Sequence, residues 1–151
     1  MLIKPSKINL FLFLKLPSAF LCGVRLKSIN NSNCVTSVKH RWINQNPFDS
    51  MFWAVQGMAA ELSTGALVMA YIRESDKKIS MLVANNRATF TKKAKGRINF
   101  SCADGKLIQE AIQKTIETGE GQTCWMKSEG LDKNGDSVSI FEFEWTVKLK
   151  H

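Results

Sequence analysis

Residues 51–71, MFWAVQGMAAELSTGALVMAY, decide how the rest of the chain must fold. Gln56, Glu61, Ser63 and Thr64 are the polar side chains of this stretch. A helix lying on a protein surface shows a polar face over about half its circumference. This one has no such face, so the stretch reads as a helix buried nearly all round. Gly57, Ala60 and Gly65 are small enough to let another backbone come close. A sheet wrapped around the helix would supply that neighbour, and Asp49 or Ser50 would cap its start.

Downstream, Phe141, Phe143, Trp145, Val147 and Leu149 alternate with Glu142, Glu144, Thr146, Lys148 and Lys150, the period of a half-buried strand. Residues 122–131 are its expected partner across 132–136, where Asn134-Gly135 suits the positive backbone dihedrals of a tight hairpin. Residues 79–91 and 97–103 read as two further strands joined by 92–96. A helix over 104–118 has Asp104 as cap and Gly119 as stop, and is expected on the outside of the sheet. Upstream, residues 24–29 and 34–39 form a predicted hairpin around Asn30-Asn31-Ser32-Asn33. The expectation is an α+β fold with an antiparallel sheet around a long central helix.

With 151 residues, 44% apolar and 23% charged, and no repeat or linker-like tract, the chain reads as one globular domain over 1–151. Residues 1–23 form an amino-terminal helical extension, starting near Ser6. Lys15 and Pro17 interrupt its apolar run, which is shorter than the ~20 residues of a membrane span. Leu10, Phe11, Phe13 and Leu14 are expected to pack it onto the domain. Bulky Leu21 before Cys22 is wrong for a lipoprotein cleavage site.

Cys22, Cys34, Cys102 and Cys124 form no metal-binding spacing, so they read as reduced thiols of a cytoplasmic protein with no metal. His40 and His151 leave little room for a histidine-based hydrolase. The net charge of +8 would suit nucleic acid, an anionic membrane or a phosphorylated ligand. No element interleaves basic and aromatic residues as a nucleic-acid reader would, which weighs against that class.

Asn46 and Glu61 stand 15 positions apart, and Ser50 can stand for a threonine between them. In this spacing the chain resembles the hot-dog superfamily of acyl-thioester enzymes and binding proteins, in a poorly characterised thioesterase-like branch, over roughly residues 24–150. Phe52, Trp53 and Ala54 occupy the positions of that family's His-Gly-Gly, Asp49 stands where glycine is usual, and Lys93-Ala94 replaces a frequent Pro-Ala pair.

The resemblance implies an acyl-thioester hydrolase acting on acyl-CoA or an acyl carrier protein. Glu61 would be base or nucleophile, Asn46 a second catalytic residue, and coenzyme A part of the substrate rather than a cofactor. Asp49, Ser50, Phe52, Trp53 and Asn85 would contact substrate. Lys92, Lys93, Lys95 and Arg97 would hold the phosphates of coenzyme A or the acidic face of a carrier protein. It also implies a homodimer or dimer of dimers. The loss of His-Gly-Gly motivates the alternative, a non-catalytic module that binds an acyl group or acyl-CoA. A structural role for Glu61, paired with a buried cation or with Asn85, Asn86 or Arg87, is the competing reading of that residue.

Overall fold

The computed structural model describes residues 3–151. The central helix, α3 once the two short amino-terminal helices are counted, spans Trp53–Glu74, and its buried residues lie all around its axis. It starts later than the apolar run. Met51 donates its amide to Ala94 O and forms an isolated bridge with Gln45, which holds it in extended backbone. Neither Asp49 nor Ser50 caps the helix: Phe52 is the flanking residue and no side chain caps it.

The strands are β1 (Arg25–Ile29), β2 (Cys34–Lys39), β3 (Ile79–Phe90), β4 (Arg97–Cys102), β5 (Gln122–Leu131) and β6 (Ser137–Leu149). They make one sheet in the order β1-β2-β4-β5-β6-β3, with every neighbouring pair antiparallel. The alternation read in β6 is realised: Phe141, Phe143, Trp145 and Val147 are buried toward α3. At Gly57 and Gly65 the helix lets aromatic side chains of β6 come close to its backbone. A Cβ on Gly57 would stand 3.4 Å from Phe141, and one on Gly65 3.1 Å from Trp145. A long helix packed in the curve of an antiparallel sheet is the hot-dog fold.

Local expectations are corrected in the turn between β5 and β6 and in the helix that precedes β5. In the β5–β6 connection only Gly135 has a positive φ, of 81°; the loop is ordered instead by Asp132 Oδ1, which accepts the amides of Asn134 and Asp136. The helix α4 (Gly105–Thr118) ends on Gly119 at φ 76° as read. It packs against α3 as well as β5 and β6, burying Ile108 and Ile112 in the common core, so it lies on the helix side of the sheet and not outside it. Asp104 holds the N-cap position as read, but its side chain makes no cap bond, because its Oδ2 accepts the Lys127 amide.

The amino-terminal helices are α1 (Pro5–Lys15) and α2 (Pro17–Leu21), separated where Pro17 restarts the helix at its first position. Ile8 and Leu12 are the buried side chains of α1, whereas Leu10, Phe11, Phe13 and Leu14 face outward, the reverse of the expected packing. Asn9 settles the orientation. Its side chain donates to Leu26 O and accepts the Leu26 amide, pairing with the free edge of β1 as a strand residue would. One sheet edge is thereby covered, and β3 remains the open one, with residues 84–90 all exposed.

Candidate functional site

The polar side chains of α3 divide into satisfied and unsatisfied. Gln56 accepts from Ser139 Oγ at 2.7 Å, Ser63 and Ser128 share a hydrogen bond of 2.6 Å, and Thr64 Oγ1 accepts from Trp145 Nε1 at 2.9 Å. Glu61 is mostly buried, yet among the described residues its carboxylate has no hydrogen bond and no ion pair. Desolvation raises its pKa above the ordinary 4.5, with no cation to oppose it. Two of the partners named in the competing reading of Glu61, Asn85 and Arg87, are engaged elsewhere. Asn85 donates to Glu144 at 3.0 Å, while Arg87 grips Glu142 at 2.6 Å and lies 4.6 Å over the ring of Trp125.

A one-residue bulge explains that separation. Val83 opposes Trp145 and Asn85 opposes Glu144, so Ala84 is the extra residue and the phase of β3 reverses there. Before it, Met81 and Val83 share the helix-facing side with Val147 and Trp145; after it, Asn86 and Ala88 share it with Phe143 and Phe141. Asn85 therefore stands on the face away from α3 and does not join Glu61. Glu61 lies one turn from both Gly57 and Gly65, on the side of the helix that meets β6.

The second part of the site is a cleft of about 550 Å³ between the loop before α3 and the end of β3, lined in part by Asn46, Ser50, Phe52, Trp53, Phe90 and Lys93. Asn46 organises the loop. Its side chain donates to Ser50 Oγ at 2.9 Å and accepts the amide of Phe48 at 2.9 Å and that of Ser50 at 3.3 Å. Asp49 has φ 55°, a left-handed conformation that explains why glycine suits this position and that aspartate tolerates better than most side chains. Its side chain is outside the cleft lining.

Phe52 and Trp53 stack edge to face at 6.0 Å on one wall, both partly open to solvent. The amides of Met51 and Phe52 are used by Ala94 O and Asn44 O, so those of Trp53 and Ala54 are the first unengaged donors of the helix.

The basic run divides as well. Lys92 and Lys93 line the cleft. Lys92 is tied to Asp132 at 2.7 Å and Asp136 at 2.8 Å, bonds that raise its pKa to about 12. Lys95 is exposed away from the cleft, and Arg97 donates to Ser37 Oγ on β2 at 3.0 Å. Gln56, Phe90 and Ala94 line the cleft too and were not read as site residues. Gln56 was visible as a polar residue on an apolar helix; the other two carry no signal of their own. Within one chain the cleft and Glu61 are separate features, since Glu61 does not line it. Among the described residues no group of three or more His, Cys, Asp or Glu could hold a metal ion, and no helix is long and apolar enough to cross a membrane.

No curated protein sequence matches the chain significantly. Among solved structures it is similar to a Pseudomonas aeruginosa protein of unknown function described as a probable thioesterase, with 18% identity, TM-score 0.82 and 97% of each chain covered. A Chlorobaculum tepidum protein of unknown function is 13% identical with TM-score 0.82, over 97% of this chain and 94% of the other. A Haemophilus influenzae thioesterase is 10% identical with TM-score 0.72, over 99% and 93%. At these identities the likeness establishes the shared fold. Residues 7–147 match a family described as a domain of unknown function, DUF4442, and the chain belongs to that family.

Proposed function

We propose that the protein hydrolyses acyl thioesters, with Glu61 as the base or nucleophile. The observation that carries this reading is that Glu61 alone, among the polar side chains of the buried part of α3, has no partner among the described residues. An unpaired carboxylate in a desolvated position is costly to keep, and desolvation, which raises its pKa, makes it a stronger base than a solvated glutamate. As a base, Glu61 takes a proton from water while the water oxygen attacks the thioester carbonyl. The tetrahedral oxyanion then collapses, the carbon–sulfur bond breaks, and the departing thiolate takes the proton held by Glu61, which restores the carboxylate. The similar solved structures described as thioesterases support this class of reaction.

The site is completed in a homodimer joined through the open edges of β3. Pairing two β3 strands would bury the exposed residues 84–90 and bring the Asn46 loop of one subunit toward Glu61 of the other. The unengaged amides of Trp53 and Ala54 are the donors for the oxyanion, and Lys93, which has no acidic partner among the described residues, is the contact for a coenzyme A phosphate or a carrier protein. On this reading the protein works in the cytoplasm, where acyl-CoA is found and its thiols stay reduced.

A second reading is favoured by Phe52 and Trp53, which stand on the cleft wall where the resembling enzymes carry the histidine and first glycine of His-Gly-Gly: a module that binds acyl-CoA without cleaving it. A hydrolysis screen across acyl-CoA chain lengths, read by released thiol, separates the two. Turnover abolished by Glu61→Gln establishes the hydrolase. No turnover at any length, with a rise in melting temperature on adding one acyl-CoA, establishes the binding module.

A further inference from the structure

The net charge is confined to one part of the chain. Residues 1–48 hold seven Lys and Arg and no Asp or Glu, so 103 residues with 14 basic and 13 acidic side chains account for only one of the eight net charges. This basic part contains α1 and α2, whose outward face is apolar where a water-facing helix should be polar. Leu10 is 58% exposed, Leu14 62% and Leu21 65%. Lys7, Leu10 and Leu14 share the side of α1 opposite buried Ile8 and Leu12, with Phe11 and Phe13 on its flanks. Asn44 Nδ2 donates to Cys22 O and draws the one-turn helix Trp42–Asn44 against the end of α2, which brings Trp42, 83% exposed, and Ile43 beside this surface.

We propose that this face is a docking surface for an anionic phospholipid bilayer, on which α1 and α2 lie in the plane of the headgroups. Leu10, Phe13, Leu14 and Leu21 would enter the acyl boundary while Lys4, Lys7 and Lys15 reach back to lipid phosphates. Charge complementarity selects this occupant, because the segment that forms α1 and α2 carries lysines and not a single acidic side chain, and so is attracted to a negative leaflet. Geometry keeps it free: α1 covers β1, the sheet edge opposite β3, so pairing through β3 leaves it uncovered. The inference does not depend on Glu61 being catalytic. A membrane-bound hydrolase and a membrane-bound acyl carrier are equally served by it.

The test is sedimentation of the full chain with vesicles of phosphatidylcholine alone and of phosphatidylcholine mixed with phosphatidylglycerol. Binding to the mixed vesicles, weak binding to the neutral ones, and release by salt are expected. Lys7→Gln should weaken partitioning about fivefold, and Leu10→Ser with Leu14→Ser by tenfold or more, at an unchanged melting temperature. Should the double variant melt early, Lys7→Gln decides the matter. Absence of binding to either vesicle overturns the proposal, as does equal binding to both that Lys7→Gln leaves unchanged. Self-association abolished by the leucine substitutions, without vesicle binding, would make a second copy of the chain the occupant and also overturn it.

Discussion

The indole of Trp145 occupies the space that a side chain on Gly65 would need. A Cβ there would stand 3.1 Å from Cζ2 and 3.2 Å from Cη2 of the ring, and the ring is held by its hydrogen bond to Thr64. Gly65→Ala should therefore destabilise the protein by about 1–3 kcal/mol, although alanine is the better helix former, because the indole cannot withdraw without losing that bond. Denaturant unfolding measures it, and a neutral or stabilising result would mean that the helix and β6 are less tightly apposed.

Glu61 should impose a pH dependence of a definite sign. Its folded pKa lies above its unfolded value, so the native state binds the extra proton. The stability associated with the protonated form is complete below the unfolded pKa and is lost as pH rises through the folded one. Relative to Glu61→Gln, the wild type should lose stability upward from about pH 4.5. At neutral pH the glutamine variant should be at least as stable while losing all hydrolysis. A loss of about 3–5 kcal/mol would instead reveal a buried ionic partner.

Complementation tests the shared site. The wild type should have a solution mass near twice 17.0 kDa at micromolar concentration. Asn46→Ala and Glu61→Gln should each be inactive alone. Mixed subunits should recover up to about a quarter of the wild-type activity if each site takes one residue from each chain, as in an isologous dimer. Mixtures that stay inactive would place both residues in one subunit's site.

The two cleft lysines should differ. Lys93→Ala should raise KM for acyl-CoA about tenfold, the worth of one hydrogen bond to a charged group. Lys92→Ala should leave KM nearly unchanged, because its ammonium is already held by Asp132 and Asp136. Equal effects from both would show that the loop releases Lys92 when substrate arrives.

Cys34 and Cys102 face each other across β2 and β4, and burial raises both thiols to about 12. Both should resist iodoacetamide at pH 8 in the native protein and react only on unfolding, as read by mass spectrometry.

What the sequence determined by itself was everything carried by local period. The missing polar face of residues 51–71 dictated a buried helix, and the two-residue alternation of residues 141–149 dictated a strand with one face inward. Those patterns arise from neighbours on the same element, so a single chain read in order contains them. Glu61 stood out for the same reason, as a charge on an apolar helix.

Tertiary structure decided what depends on register between distant segments. The bulge at Ala84 turns Asn85 to the outer face, and no composition marks it, since an extra residue in a strand changes phase without changing chemistry. Lys92 meets Asp132 and Asp136 across 40 and 44 residues of chain, and Asn9 finds the β1 edge only once β1 exists. The pairing of Asn9 with Leu26 rotates Leu10 and Leu14 into solvent. An apolar side chain can be read from the sequence, but whether it meets core or water is fixed by the element that packs beside it.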